Sequence, residues 1–124
     1  MKTREGFLIE TLGNIISYQI EGSFDHIRAR RFVSAIKDEI LLLEGKPFKL
    51  LANHLKAHGA TPESYELIEE YNAWLNTTKL QAKAIVSESD VINKIELHFT
   101  PSKNLQNIAY FSNIEEAMEW LQNY

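Results

Sequence analysis

The sequence predicts an α/β fold: a mixed β-sheet of about five strands, opened by an N-terminal hairpin and covered by about four helices. Three observations predict it. Short β-prone runs alternate with segments of helical apolar spacing, the order expected of a sheet with helices packed on it. The first two runs, at residues 7–12 and 15–21, are separated only by Gly13-Asn14, a pair that tolerates positive φ and suits a hairpin turn. The chain has 124 residues, 44% hydrophobic and 24% charged, enough for one well-filled core and too few for two ordinary domains. Residues 1–124 are therefore expected to form a single domain.

In the hairpin, Ile16, Tyr18 and Ile20 alternate with Ser17, Gln19 and Glu21, as a half-buried strand requires. Gly22-Ser23 is expected to end it, with Ser23 capping a helix over residues 23–44. The apolar residues Phe24, Ile27, Phe32, Val33, Ile36, Ile40 and Leu43 follow helical spacing, and Gly45 and Pro47 stop the helix. Residues 47–53 form a short apolar run between breakers, read as a buried strand. Residues 54–60, polar apart from Leu55, read as a connecting segment. Thr61-Pro62-Glu63 provides a cap, a proline at the first helical position and an acid in the first turn. The helix it starts, over residues 61–77, buries Tyr65, Ile68, Tyr71 and Leu75.

Residues 80–86 read as the next strand. A helix over 89–99 carries Val91, Ile95 and Phe99 and ends at Thr100-Pro101. Residues 108–111 form a last strand. Ser112-Asn113-Ile114-Glu115 has the form of a capping box, and the helix over 113–122 puts Ile114, Ala117, Met118 and Leu121 on one face. Trp74 and Trp120, near helix ends, are placed at the edge of the core.

Composition excludes several function classes. With no cysteine there is no disulfide, no thiolate nucleophile and no cysteine-held metal. The formal charge is −4, and residues 61–124 hold ten acids against four bases. A nucleic-acid binder carries a basic stripe, and here the basic cluster is only Arg28, Arg30 and Arg31. No nucleic-acid partner is expected. No apolar run approaches the roughly 18 residues of a membrane span, and the polar start Met1–Gly6 lacks a signal-peptide core. The chain is expected to be cytoplasmic.

No phosphate loop, nucleophile elbow or paired-carboxylate motif is present, so no enzymatic activity and no cofactor are expected. His54 and His58 have the i, i+4 spacing of a helical zinc pair, but they fall in a segment read as a loop and no third ligand has a defined spacing. No metal is expected. Residues 53–64 are the favoured functional edge, because ligands and partners gather beyond the C-terminal ends of strands in open α/β sheets. Asn53 stands at such an end, His54, Lys56 and His58 line the connection, and Thr61 starts a helix whose free amides favour an anion. Arg28 and Arg31, i, i+3 neighbours on the first helix, are either a solvated face or a contact for an acidic partner or anionic headgroup.

Several segments together resemble the STAS-like group of small bacterial proteins, the SpoIIAA-like relatives of anti-sigma factor antagonists. They are Tyr18-Gln19-Ile20-Glu21-Gly22, Gly45-Lys46-Pro47-Phe48, Ala60-Thr61-Pro62-Glu63, and the ending from Ala109 to Leu121. The resemblance implies a regulatory or protein-interaction domain with a protein partner. It also implies that phosphorylation near the helix after the central strand switches partner binding, which makes Thr61 and Ser64 the positional candidates. This sequence has Asn53 where an acidic residue commonly ends that strand. The alternative is a small-molecule or lipid-binding domain, since the fold also resembles the lipid-exchange architecture and the chain is rich in aliphatic and aromatic residues.

Overall fold

A computed structural model describes residues 6–124. The chain runs β1 (Phe7–Leu12), β2 (Ile15–Phe24), α1 (His26–Leu41), β3 (Phe48–Ala60), α2 (Pro62–Leu75), β4 (Leu80–Val86), α3 (Asp90–Phe99), a 3-10 turn (Pro101–Leu105), β5 (Ile108–Phe111) and α4 (Ile114–Gln122). The five strands lie side by side in chain order, β1-β2-β3-β4-β5. β1 and β2 are antiparallel across the Gly13-Asn14 turn, and every later pairing is parallel. This is the mixed sheet with an N-terminal hairpin that the periodicities predict.

The pleat sorts strand side chains into two cores. Ile16, Tyr18, Leu50, Ala52 and Ile85 face α1 and α2, where Phe32, Ile36, Tyr71 and Leu75 meet them. Ile15, Leu51, Ala82, Ala84 and Val86 face the other way, against Ala117 and Leu121 of α4. Adjacent strand residues therefore belong to opposite layers. Lys49 points into the α4 layer, and its Nζ donates to the Leu121 carbonyl at 2.7 Å, an acceptor it shares with the Tyr124 amide at that helix end.

The largest departure from the expected pattern is the length of β2 and β3. β2 continues through Gly22-Ser23 to Phe24, and residues 54–60 are strand rather than a connecting loop, with Glu21 opposite Lys56 and Phe24 opposite Ala60. β4 ends its pairing at Val86, opposite Asn53. Beyond that point β3 has only β2 beside it, and Lys56 and His58 are exposed there, whereas His54 turns inward. The pairing slips twice, between Gln19 and Glu21 and between Gly22 and Phe24, and each time β3 carries one residue more than β2. These are β-bulges, which bend a strand and change which side chains face inward. Asn53 Oδ1 accepts from the Leu55 amide at 3.1 Å across the first of them.

Helix starts shift accordingly. α1 begins at His26 with Asp25 as its cap, accepting from the Arg28 amide, so Ser23 is not the cap and Phe24 is a strand residue. Ile27, expected in the core stripe, is exposed. Thr61 caps α2 as the sequence predicts. Asn113, not Ser112, caps α4. α3 has no buried residue, and its Val91, Ile95 and Phe99 are exposed rather than packed in the core.

Candidate functional site

The sheet layer shared with α1 and α2 does not close completely. Between the β2–β3–β4 surface, α2, α3 and the 3-10 turn lies a cavity of about 70 Å³. Much of its wall is aromatic and aliphatic, including Phe24, Phe32 and Ile68, but charged groups from three elements reach into it: Lys83 from β4, Glu96 from α3 and Lys103 from the 3-10 turn.

Lys83 has 2% of its surface exposed. It sits in β4 on the same face as Ile85, so the pleat aims it at α2, where its Nζ donates to Asn72 Oδ1 at 2.9 Å. Burial, reinforced by the positive charge of Lys103 and opposed by Glu96, holds its ammonium well below the usual lysine range. Lys103 is 7% exposed, with Nζ 3.7 Å from Glu96 Oε2. Burial lowers it too, against the pull of Glu96. The 3-10 turn that places Lys103 is tied to α2, because Glu69 accepts from the Ser102 amide at 2.8 Å and from the Ser102 hydroxyl. The Thr100 hydroxyl donates to the Glu96 carbonyl at 2.5 Å and closes the end of α3.

His54 faces the same space. Its ring lies 5.9 Å from that of Tyr18, and its side chain is 14% exposed. Burial pushes its pKa down to about 4; Glu96 opposes that shift, while Lys103 and Lys83 add to it. The imidazole is therefore neutral at pH 7. The 3.8 Å separation of its Nδ1 from Glu96 Oε2 is neither an ion pair nor a hydrogen bond, and that nitrogen has no hydrogen-bond partner. The Tyr71 hydroxyl is buried and likewise unpartnered, and burial raises its pKa well above the usual phenol range.

The residues singled out from the sequence are divided by the fold. His54 points into the cavity, whereas its neighbour Asn53 is half-buried in the α4 layer with its Oδ1 engaged by Leu55. Arg28, His58 and Thr61 meet around a second, open hollow at the outer end of the β2–β3 extension, bounded also by Ser23 and Asp25. Arg31 is exposed on α1 and lies by a different hollow, with Arg30 and Asp38. Thr61 Oγ1 accepts from the Ser64 amide at 3.3 Å and contacts Ser64 Oγ at 2.8 Å. Ser64 is not solvated: it is fully buried, and its hydroxyl donates to the Phe24 carbonyl at 2.9 Å. A phosphate on Ser64 would have to unpack the start of α2, so Thr61 is the more accessible of the two hydroxyls. Among the described residues no group of three or more His, Asp or Glu is placed to hold a metal ion.

Lys83, Asn72, Glu96 and Lys103 were not among the residues singled out from the sequence. One signal was available. Central parallel strands are apolar on both faces, and Lys83 interrupts Leu80–Val86 in its middle.

A SpoIIAA-like family profile matches residues 15–122, most of the chain. The chain belongs to the SpoIIAA-like family. Solved structures agree with this fold at low sequence identity. An uncharacterized protein with a SpoIIAA-like fold from Shewanella loihica aligns with TM-score 0.70 and 13% identity, covering 98% of each chain. An anti-sigma factor antagonist from Mycobacterium paratuberculosis aligns at TM-score 0.65 and 11% identity, covering 98% of this chain and 99% of its own. The anti-sigma factor antagonist SpoIIAA in its unphosphorylated form aligns at 0.67 and 12%, covering 95% and 99%. No curated protein matches the SpoIIAA-like chain in sequence. Among the described residues no helix is long and apolar enough to cross a membrane.

Proposed function

We propose that this chain is a single-domain, non-enzymatic regulatory module of the SpoIIAA-like type that works by binding a protein partner. The observation that carries this reading is the meeting of Arg28, His58 and Thr61 around one open hollow, where β2, β3 and the start of α2 converge. Two structural neighbours are anti-sigma factor antagonists, a name that denotes action on another protein. The exposed Arg28 suits an acidic contact, and the N-terminus of α2 beneath Thr61 suits an anionic one, whether a partner carboxylate or a phosphate on Thr61.

The partner is to be identified by affinity capture and its dissociation constant measured with purified components. Arg28→Ala and His58→Ala should each weaken binding by about three- to tenfold, with Glu116→Ala on α4 as control. Thr61→Glu tests the charge switch, with its melting temperature checked because the substitution alters the α2 cap. Wild-type affinity in all three folded variants would remove the hollow from consideration. A second reading, a small-ligand-binding domain, is favoured by one observation: the inner cavity presents the buried Tyr71 hydroxyl and His54 Nδ1 without partners.

A further inference from the structure

Two lysines and one carboxylate line the inner cavity. Lys83 and Lys103 both reach it, and Glu96 is the carboxylate that faces them. Lys83 is held by a neutral amide oxygen rather than by an acid. In the lining these two lysines face one carboxylate, while Glu69, outside the lining, also acts on Lys103. Burial depresses both lysines, a penalty that an enclosed anion would relieve. The Tyr71 hydroxyl, 2% exposed and without a partner, offers a donor in the same wall. The remaining lining is largely aliphatic and aromatic, which suits a hydrocarbon chain and not a phosphate.

We propose that this cavity binds a short-chain aliphatic monocarboxylate, with its carboxylate on Lys83, Lys103 and the Tyr71 hydroxyl and its chain against Phe24, Phe32 and Ile68. One carboxylate would give Lys83, now held by a neutral amide, an acidic partner, and about 70 Å³ limits the guest to a short chain. This assignment rests on the ligand-binding reading above and adds the ligand's charge and size. α3, which has no buried residue and contributes Glu96 to the wall, gives the guest a way in that leaves the sheet intact.

The test is a methyl-resolved NMR titration of the full chain with propionate and butyrate, with n-butanol and n-butylamine as neutral and cationic controls. Both carboxylates should shift the methyls of Ile20, Ile68 and Ile85 saturably, and n-butylamine should not. Lys83→Met replaces a buried ammonium with an apolar chain of similar length and should weaken carboxylate binding by at least about tenfold. Tyr71→Phe should weaken it by roughly threefold. Lys79→Met, on the surface, should leave it unchanged. Should Lys83→Met not fold, Lys103→Met and Tyr71→Phe carry the same comparison. Wild-type butyrate affinity in the folded lysine variants would overturn the proposal. If n-butanol moved the methyls and the carboxylates did not, the anion assignment would fall and cavity binding would stand. Silence from the carboxylates and n-butanol alike would overturn both.

Discussion

Asn72 Oδ1 accepts two hydrogen bonds inside the protein, from Lys83 Nζ at 2.9 Å and from Gln106 Nε2 at 3.0 Å. One amide thereby joins α2 to β4 and to the segment leading into β5. Its own Nδ2 donates to the Ile68 carbonyl at 2.9 Å, which fixes the direction of the oxygen. A buried network of this kind is stabilising only while complete. Asn72→Ala should therefore cost about 2–3 kcal/mol, since it strands the Lys83 amine and leaves Gln106 Nε2 only its longer bond to the residue 72 carbonyl. Urea denaturation measures the loss. In the Lys83→Met background the same change should cost clearly less, and equal losses in both backgrounds would show that the two side chains are not coupled.

His54 makes stability depend on pH. Its folded pKa is pushed down to about 4, against about 6.5 for an unfolded histidine. Between those values the unfolded chain binds more protons than the folded one, so stability falls as pH falls. The loss should approach about 3 kcal/mol near pH 4. His54→Leu removes the titrating group without breaking a hydrogen bond at Nδ1. Denaturation midpoints from about pH 7 down to about pH 4 should decline less steeply in this variant than in the wild type. Parallel curves would place the acid sensitivity elsewhere.

Gly22 lies between the two slips of the β2–β3 pairing with φ of 79°. A Cβ there would meet only Arg28 Nη1 at 3.8 Å, so the penalty for Gly22→Ala is conformational rather than steric. A loss of about 1 kcal/mol is expected from calorimetry. An unchanged melting temperature would mean that this stretch relaxes out of its left-handed backbone at no cost.

The elements were legible wherever one periodicity dominated. Ile16–Glu21 alternates strictly, Thr61-Pro62-Glu63 marks the start of α2, and Ala117 and Leu121 share the buried face of α4. The end of β3 was not legible, because His54, Lys56 and His58 resemble a solvated loop and the bulges break the alternation that would mark a strand. The apolar stripe Val91–Ile95–Phe99 correctly marks α3 as a helix but says nothing about which side faces inward. Of the inner cavity's lining, the candidates singled out from the sequence were only His54 and Ser64. Lys83, Glu96 and Lys103 lie far apart along the chain and meet only because β4, α3 and the 3-10 turn converge beside α2.

The strand order has a consequence for how the molecule is made. Each strand pairs with the one before it in the chain, so no gap in the sheet waits for a later segment to be threaded between strands already paired. A chain emerging from the ribosome can complete the β1–β2 hairpin first and then extend the sheet outward from a single growing edge. Every partly made intermediate leaves that edge open, at β2, then β3, then β4, until β5 and α4 arrive. Three of the four pairings are parallel and each must wait for a helical crossover, so the open edge is the stage at which the growing chain is most exposed to a wrong partner.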